Sequence, residues 1–306
     1  MSLVQDLRKA ELHVHLEGSI EPETLCELNP SLSADEISRR CVFRDFTGFL
    51  EAYKWTVGHL RQPEDYALIT RRFLERLAAQ NVTYVEINLS VGVMVSRQRD
   101  TAAIFDAVSE AAASQRTVRV RWIFDAVRQF GAAAAKRVAE LAAERVSRGV
   151  VAFGIGGDEL AAPVEWFGDV FRFVCESGLK LAPHAGETAG PDSVKAALRL
   201  GAHRIGHGIR SIEDAGLIAE LRERDIPLEV CISSNVATGS VRDLSRHPVR
   251  RLYDAGVPLV LNTDDPGLFR TSLNAEYELA SREFGFSERE LEEIAANSFR
   301  FAFGLQ

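Results

Sequence analysis

Eight short apolar runs, rich in β-branched residues, recur along this chain, and stretches with helical periodicity separate most of them. The predicted strands are Ala10–Val14, Val82–Leu89, Val118–Phe124, Val150–Ile155, Leu179–Pro183, Arg204–Gly206, Pro227–Cys231 and Pro258–Asn262. The predicted helices between them are Ala102–Ser114, Ala132–Ser147, Val164–Glu176, Pro191–Leu200, Ile212–Arg224 and Pro248–Ala255. This alternation predicts an α/β fold, a parallel (β/α)8 barrel of the TIM type. An open doubly wound sheet is the alternative, but its first turn would normally be Gly-rich, and residues 16–20 are not.

One connection is much longer than the others. About sixty residues, roughly 22–81, separate the first two predicted strands, and they have helical character over Glu21–Leu28, Ala34–Arg39, Phe46–His59 and Glu64–Ala79. A single βα connection needs far fewer residues, so we expect extra helices that cover the C-terminal mouth of the barrel. Five aromatic residues either line a pocket there or pack the helices onto the barrel: Phe43, Phe46, Phe49, Tyr53 and Trp55.

The composition is that of one globular domain. Of the 306 residues, 46% are hydrophobic and 26% are charged, and neither a low-complexity linker nor a tandem repeat divides the chain. We therefore expect residues 1–306 to form a single barrel domain. Whether it assembles into a homo-oligomer is left open by the sequence.

Charge and hydropathy restrict the partners. The net charge of −8 argues against a nucleic-acid partner. Because no apolar run approaches the roughly 20 residues of a membrane span, and the N-terminus lacks the apolar core of a signal peptide, we expect no membrane partner and a cytoplasmic location. Four scattered cysteines without a Cys-x-x-Cys pair are expected to be buried thiols: Cys26, Cys41, Cys175 and Cys231.

His13-Val14-His15 lies at the end of the first predicted strand. Two histidines at positions i and i+2 of an extended strand point to the same face, which is half of a metal site. His184 and Asp264 follow the fifth and eighth predicted strands, and the C-terminal ends of barrel strands converge on one site. Three neutral imidazoles and one carboxylate suit a zinc ion with an open position for water, whose pKa the metal lowers toward ~7.

Further residues at this rim are candidates for proton transfer and substrate binding. His207, at the end of the sixth strand, is placed to orient or deprotonate the water. Glu187 lies three residues past His184, and a protonated carboxyl there can donate to a substrate nitrogen. Asp265 points away from its neighbour on extended backbone and is left for the substrate. The other three histidines are expected to be ordinary polar residues: His59, His203 and His247.

Five motifs together resemble the adenosine deaminase family of zinc-dependent hydrolases. They are Glu11–Gly18 (ELHVHLEG), Gly157–Glu159 (GDE), His184–Glu187 (HAGE), Arg204–Gly208 (RIGHG) and Asn262–Pro266 (NTDDP). Their order and spacing match over nearly the whole chain. The resemblance implies a (β/α)8 barrel that removes the 6-amino group of an adenine-type base by hydrolysis, through a tetrahedral intermediate at C6 that expels ammonia.

The resemblance also implies residue roles, with a small purine nucleoside as the partner. One zinc ion would be bound by His13, His15, His184 and Asp264. Glu187 would protonate ring N1, and His207 would handle the attacking water. Asp265 would accept a hydrogen bond at N7, and the backbone N–H of Gly157 would meet N3.

Two departures from the adenosine-specific pattern concern the substrate. Glu17 stands where those members usually have the Asp associated with the ribose 5′-hydroxyl, and Gly154 stands where they have an acidic residue. Adenine deaminases share a Glu at the first position, but Gly157–Glu159 is of the nucleoside type. The mixture resembles a branch that deaminates 5′-modified adenine nucleosides, such as the aminodeoxyfutalosine of menaquinone biosynthesis, while adenosine and adenine stay open as substrates. Candidate neighbours of a 5′ group, with Glu17, are Phe46, Phe49 and Trp55.

Two other functions have sequence features against them. A barrel metal hydrolase that cleaves an amide, lactone or phosphoester frequently holds two metals bridged by a modified lysine after strand four, and no lysine lies near residues 154–159. A purine sensor with a structural zinc would need neither Glu187 nor His207 beside the metal. Metal content per chain and turnover separate these alternatives from a deaminase.

Overall fold

Eight parallel strands form the centre of the protein in a computed structural model that describes residues 3–305. Each strand is hydrogen-bonded to the next in chain order. The strands are β1 Lys9–His15, β2 Val82–Leu89, β3 Arg119–Val127, β4 Val150–Gly156, β5 Lys180–Ala185, β6 Ile205–His207, β7 Leu228–Val230 and β8 Leu259–Leu261. The predicted (β/α)8 barrel is confirmed, and each predicted strand end lies within three residues of the observed one.

The barrel closes between β1 and β8 through the histidine motif itself. Val14 forms a parallel bridge with Asp264. The N–H of His15 donates to the Asp264 carbonyl at 2.8 Å, and the N–H of Asp264 donates to the His13 carbonyl at 3.1 Å. Asp264 adopts the left-handed backbone conformation, with φ of 64°, which is uncommon outside glycine. The contact that closes the barrel therefore brings three of the predicted metal ligands together.

Helices surround the barrel. They are α1 Leu3–Asp6, α2 Pro22–Leu28, α3 Ala34–Arg40, α4 Phe46–Val57, α5 Pro63–Ala79, α6 Val91–Ser96, α7 Thr101–Ala113, α8 Gly131–Ala143, α9 Gly168–Glu176, α10 Pro191–Arg199, α11 Ala215–Glu223, α12 Ile232–Ala237, α13 Val249–Asp254, α14 Pro266–Phe269, α15 Leu273–Phe284 and α16 Glu288–Arg300. The six crossover helices predicted after the second strand are present, and the ends of two are 3-10 turns, Val146–Arg148 and Val164–Phe167. No helix within residues 3–305 has the length and apolar character needed to span a membrane.

The long connection after β1 contains four helices with different roles. In α5, Tyr66, Ile69 and Phe73 are buried at helical spacing, and the helix packs beside α7 and β2 as an ordinary crossover helix does. Asp45 caps the start of α4 by accepting a hydrogen bond from the Gly48 N–H at 2.8 Å. Residues of α4 line the cavity at the barrel mouth, so this helix provides the predicted cover.

The cysteines differ from expectation. All four are free thiols, but Cys231 alone among them is fully buried, while Cys175 is exposed and Cys26 and Cys41 are half-buried. The prediction of four buried thiols was wrong for three of them, because Cys175 lies near the solvent-facing end of α9 and the other two belong to the inserted helices.

Candidate active site

Four side chains at the C-terminal ends of β1, β5 and β8 converge, and we call them the ligand cluster: His13, His15, His184 and Asp264. One potential ligand atom from each lies within 4.8 Å of all the others, and all four residues are buried. Asp264 Oδ1 is 3.5 Å from Nε2 of His13 and 3.4 Å from Nε2 of His15. Nε2 of His13 is buried and has no hydrogen-bond partner within residues 3–305. A buried orphan nitrogen within a three-imidazole, one-carboxylate donor set fits one divalent cation of the zinc type.

Burial also keeps two of the imidazoles in the form that binds metal. It lowers the pKa of His15 to about 4 and that of His184 well below its ordinary value. Both rings are therefore neutral at pH 7, as metal ligation requires.

A chain of buried charges holds His13 from below. Its Nδ1 lies 2.7 Å from Oε2 of Glu229, which is on β7. Arg204 pairs with the other oxygen of Glu229 at 2.5 Å and with Glu86 at 2.6 Å. The contact fixes Nδ1 of His13 as the protonated nitrogen and leaves Nε2 free for a metal.

Side chains after β7 hold two other members of the site. Ser234 donates from its hydroxyl to Oδ2 of Asp264 at 2.7 Å. Asn235 donates from Nδ2 to Nδ1 of His207 at 3.1 Å, and Oδ1 of the same amide is 3.1 Å from Nε2 of His247. Because the amide donates to Nδ1, the proton of a neutral His207 ring lies on Nε2.

Glu187 and His207 face one another. Oε2 of Glu187 is 3.7 Å from Nε2 of His207, and Oε1 accepts from the Ser240 hydroxyl at 3.2 Å. Burial, together with the negative charge of Asp264, raises the pKa of Glu187 to about 8. Burial lowers the pKa of His207 to about 4. At neutral pH the carboxyl is thus the group that carries a proton to give, and the imidazole is uncharged.

The loop that carries Glu187 is fixed by Glu159. The two carboxylate oxygens of this residue accept from the backbone N–H groups of Gly186 and Glu187 at 2.8 Å and Thr188 at 3.0 Å. Although burial raises the pKa of Glu159, hydrogen bonds from the Ser193 hydroxyl and from the Thr188 and Gly186 N–H groups hold it below its ordinary value. Glu159 is therefore an anion that positions the loop. Gly157, two residues before it, faces the cavity.

A cavity of about 370 Å³ opens above the ligand cluster. One wall is a single face of α4, formed by Phe46, Phe49, Leu50, Tyr53, Lys54 and Val57. Two of the five aromatic residues considered from the sequence lie elsewhere. Phe43 packs on Phe49 with ring centroids 5.7 Å apart, and Trp55 packs on the barrel core and on His59 at 4.9 Å. The prediction that Trp55 neighbours a 5′ group is therefore wrong, because one helix cannot direct positions 53 and 55 to the same side.

Gly157 and Asp265 both line the cavity. Gly157 has a φ of 98°, a conformation that favours glycine. The Asp265 carboxyl lies directly over Gly18, where an added Cβ would be 1.6 Å from its Oδ1. That oxygen is buried without a partner in the described part of the chain. Burial, with the charge of Asp264 beside it, raises the pKa of Asp265 well above its ordinary value.

Glu17 lies behind the cavity wall. It is completely buried, and its Oε1 accepts from the Ser90 N–H at 3.1 Å. The Ser90 hydroxyl is 2.7 Å from the Tyr53 hydroxyl. Ser90 and Tyr53 form the cavity surface in front of Glu17, so the longer acid supports these two hydroxyls from behind.

Several site residues were missed by sequence reasoning. Asp125 on β3 lines the cavity and is 4% exposed, and its Oδ1 has no partner among the residues that the structure describes. Burial raises the pKa of Asp125 to about 8. Glu229 and Glu86 supply the support below His13. Glu229 and Glu86 did have a signal, since each is a charged residue inside a predicted buried strand, and such a residue needs a partner.

The comparisons with known proteins agree with this geometry. The family model for adenosine deaminase matches residues 8–305. The chain is 38% identical over 319 residues to the aminodeoxyfutalosine deaminase of Streptomyces coelicolor. The alignment covers 99% of this chain and 81% of the relative. The chain is 37% identical over 308 residues to the adenine deaminase of Sinorhizobium medicae, spanning 97% and 94%. The crystal structure of adenine deaminase from Arthrobacter aurescens superposes with a TM-score of 0.90 at 29% identity, over 97% of this chain and 94% of that one.

Proposed function

Because the chain belongs to the adenosine deaminase family, whose members are hydrolases of C–N bonds, we propose that it removes the 6-amino group of an adenine nucleoside. The products are the inosine-type nucleoside and ammonia. The observation that carries the proposal is the ligand cluster, which faces the same cavity as Glu187 and His207.

We propose zinc, one ion per chain, as the metal. His13, His15, His184 and Asp264 would hold it, and the neutral state of His15 and His184 supports ligation. A zinc ion in a site with an open position lowers the pKa of a coordinated water toward 7 and so supplies hydroxide at neutral pH.

His207 acts on the attacking water and Glu187 acts on the base. His207 is neutral, and Asn235 fixes its orientation with the proton on Nε2, so this N–H is placed to donate to the attacking water and to orient it. Glu187 holds a proton at neutral pH and gives it to ring N1. Protonation of N1 draws electron density away from C6, which makes that carbon the better target for attack.

Asp265 and Gly157 orient the base, with one change from the expectation above. Ring N7 offers a lone pair, so Asp265 must donate the hydrogen bond there instead of accepting one. The raised pKa of Asp265 supports a protonated carboxyl in that role. The Gly157 N–H donates to N3, and its glycine backbone lets the flat edge of the base approach closely.

For the substrate we propose a nucleoside with a bulky aromatic substituent at the 5′ position, of the aminodeoxyfutalosine type. Glu17 is turned to Ser90, so the acid that would meet a free 5′-hydroxyl is withdrawn from the cavity. The apolar face of α4, with Phe46 and Phe49, offers surface for such a substituent. The Streptomyces coelicolor relative supports the same choice.

Adenine is the second candidate substrate. The Sinorhizobium medicae relative supports it at nearly the same identity. The two proposals differ in what fills the α4 side of the cavity, which a free base would leave to water.

Ammonia release by the zinc-loaded protein tests both. Aminodeoxyfutalosine, adenosine, 2′-deoxyadenosine and adenine are supplied side by side at equal concentration. We expect the first to be the best substrate, with adenosine weak. A clear preference for adenine would replace the nucleoside proposal, and a protein that releases ammonia from none of the four would overturn the proposed reaction.

A further inference from the structure

We propose that Asp125 is a further substrate-contacting residue, whose buried carboxyl accepts a hydrogen bond from the 2′-hydroxyl of the nucleoside through Oδ1. This inference rests on the proposed function and adds a group that contacts the sugar and distinguishes ribose from 2′-deoxyribose. Asp125 belongs to β3, lines the cavity and is 4% exposed. Its Oδ1 has no hydrogen-bond partner among residues 3–305. A buried carboxylate oxygen is rarely left without a partner, so a ligand in the cavity is the natural source of one.

The neighbouring strand makes room for this carboxyl. A Cβ added at Gly154 on β4 would lie 2.7 Å from Asp125 Oδ1, and one added at Gly156 would lie 3.6 Å from Oδ2. The acid thus lies against the inner face of β4, in the space that a side chain at position 154 would occupy. Position 154 carries no acidic side chain, and the acid of Asp125 on the adjacent strand occupies the space beside it.

Asp125 does not serve the ligand cluster through a hydrogen bond. His184 on β5 is two strands away from it, as are His13 and His15 on β1, and Nδ1 of His184 is itself buried without a partner in the described chain. Among residues 3–305, the position of the carboxyl is therefore explained neither by a hydrogen bond to this metal ligand nor by an ion pair.

The order of the strands assigns the sugar to the side of Asp125. Around a purine the sequence of edge atoms is N1, N3, N9 and N7. In the proposed orientation Glu187 after β5 meets N1, Gly157 after β4 meets N3, and Asp265 after β8 meets N7. Because the sheet order is β1 to β8 around the barrel, β3, β2 and β1 are left for N9 and the sugar. Asp125 on β3 is next to the N3 side, where the 2′-hydroxyl lies, and Ser90 after β2 faces the 5′ side.

Paired substrates with and without the 2′-hydroxyl test the assignment. The pairs are adenosine with 2′-deoxyadenosine, and aminodeoxyfutalosine with its 2′-deoxy analogue. Asp125→Ala is expected to lower kcat/KM for each 2′-hydroxyl substrate by about ten- to a hundredfold, with the 2′-deoxy partner changed less than threefold. Asp125→Asn keeps a carbonyl acceptor and should recover part of the preference. Asp169→Ala, whose side chain is 92% exposed on α9, is the matched control.

Zinc content per chain is measured for every variant. Equal losses on both members of a pair would overturn the assignment. Loss of zinc together with these losses would make Asp125 a support of the metal site. If the parent protein turns over no nucleoside, the proposed reaction fails, and the affinities for inosine and 2′-deoxyinosine then decide the role of Asp125. A preference for inosine that disappears in Asp125→Ala supports it, and an unchanged preference overturns it.

Discussion

The two ends of the active-site cavity are built from different parts of the fold. At the metal end, the ligand cluster comes from the ends of barrel strands, and buried neighbours such as Glu229 and Ser234 hold its members. At the outer end, one face of α4 supplies half-exposed side chains such as Phe46 and Lys54, from a helix inserted between two strands. The barrel therefore fixes the chemistry, while the inserted helix can change the substrate range without moving a strand.

The largest effect should come from breaking the metal end at Asp264. We expect Asp264→Ala to lose zinc and with it nearly all activity, a greater loss than the roughly 10- to 100-fold that removal of an outer partner causes. The residue also carries the backbone contact that closes the barrel. Zinc per chain and ammonia release measure the effect, and full zinc with full activity would mean that the fourth ligand lies elsewhere.

A second change at the metal end separates proton donation from metal binding. Glu187→Gln should keep zinc and lower kcat by about 10²–10⁴-fold, because the amide has no acidic proton to give to N1. Glu75→Gln, at a residue that is 63% exposed and paired with Arg72 on α5, is the matched control. Turnover at the parental rate by Glu187→Gln would exclude this residue as the acid.

A smaller effect is expected below the ligand cluster. Glu229→Gln should weaken zinc binding by about 10- to 100-fold, because it removes the charge that fixes the tautomer of His13. Competition with a chelator measures the affinity. The melting temperature of the zinc-free protein measures separately how much stability is lost when Arg204 no longer has Glu229 as its charged partner. Unchanged zinc affinity in a variant that melts earlier would assign Glu229 to the fold alone.

The contrast between strand ends and their supporting neighbours also explains which site residues could be predicted from the sequence. The ligand cluster was predictable because His13 and His15 share one face of a strand and because parallel strands end at the same rim. The closing contact between Val14 and Asp264 brings the histidines at the end of β1 next to Asp264. Glu229 and Asn235 were missed because their partners lie on other strands. Local hydrophobic periodicity does not determine how strands are aligned across the barrel interior.

Side-chain direction was harder to predict than position. The sequence placed Glu17 at the substrate, but its longer side chain reaches the Ser90 N–H and leaves Tyr53 at the cavity surface. Trp55 failed similarly, since it lies in the expected helix but faces the barrel core. Asp125 directly follows the third predicted strand, but the space its side chain fills is made by Gly154 on another strand, which the local sequence does not show.

The smallest expected effect sharpens the comparison at the outer end. Phe46→Ala should raise KM for a 5′-substituted nucleoside by about tenfold, since truncation removes apolar surface from the cavity wall. It should leave kcat/KM for adenine nearly unchanged, because the base lies at the metal end. Trp166→Ala, an aromatic truncation at a residue that is 64% exposed, is the control. A loss shared equally by adenine and the nucleoside would mean that α4 supports the chemistry as well, and the two ends would no longer be separable.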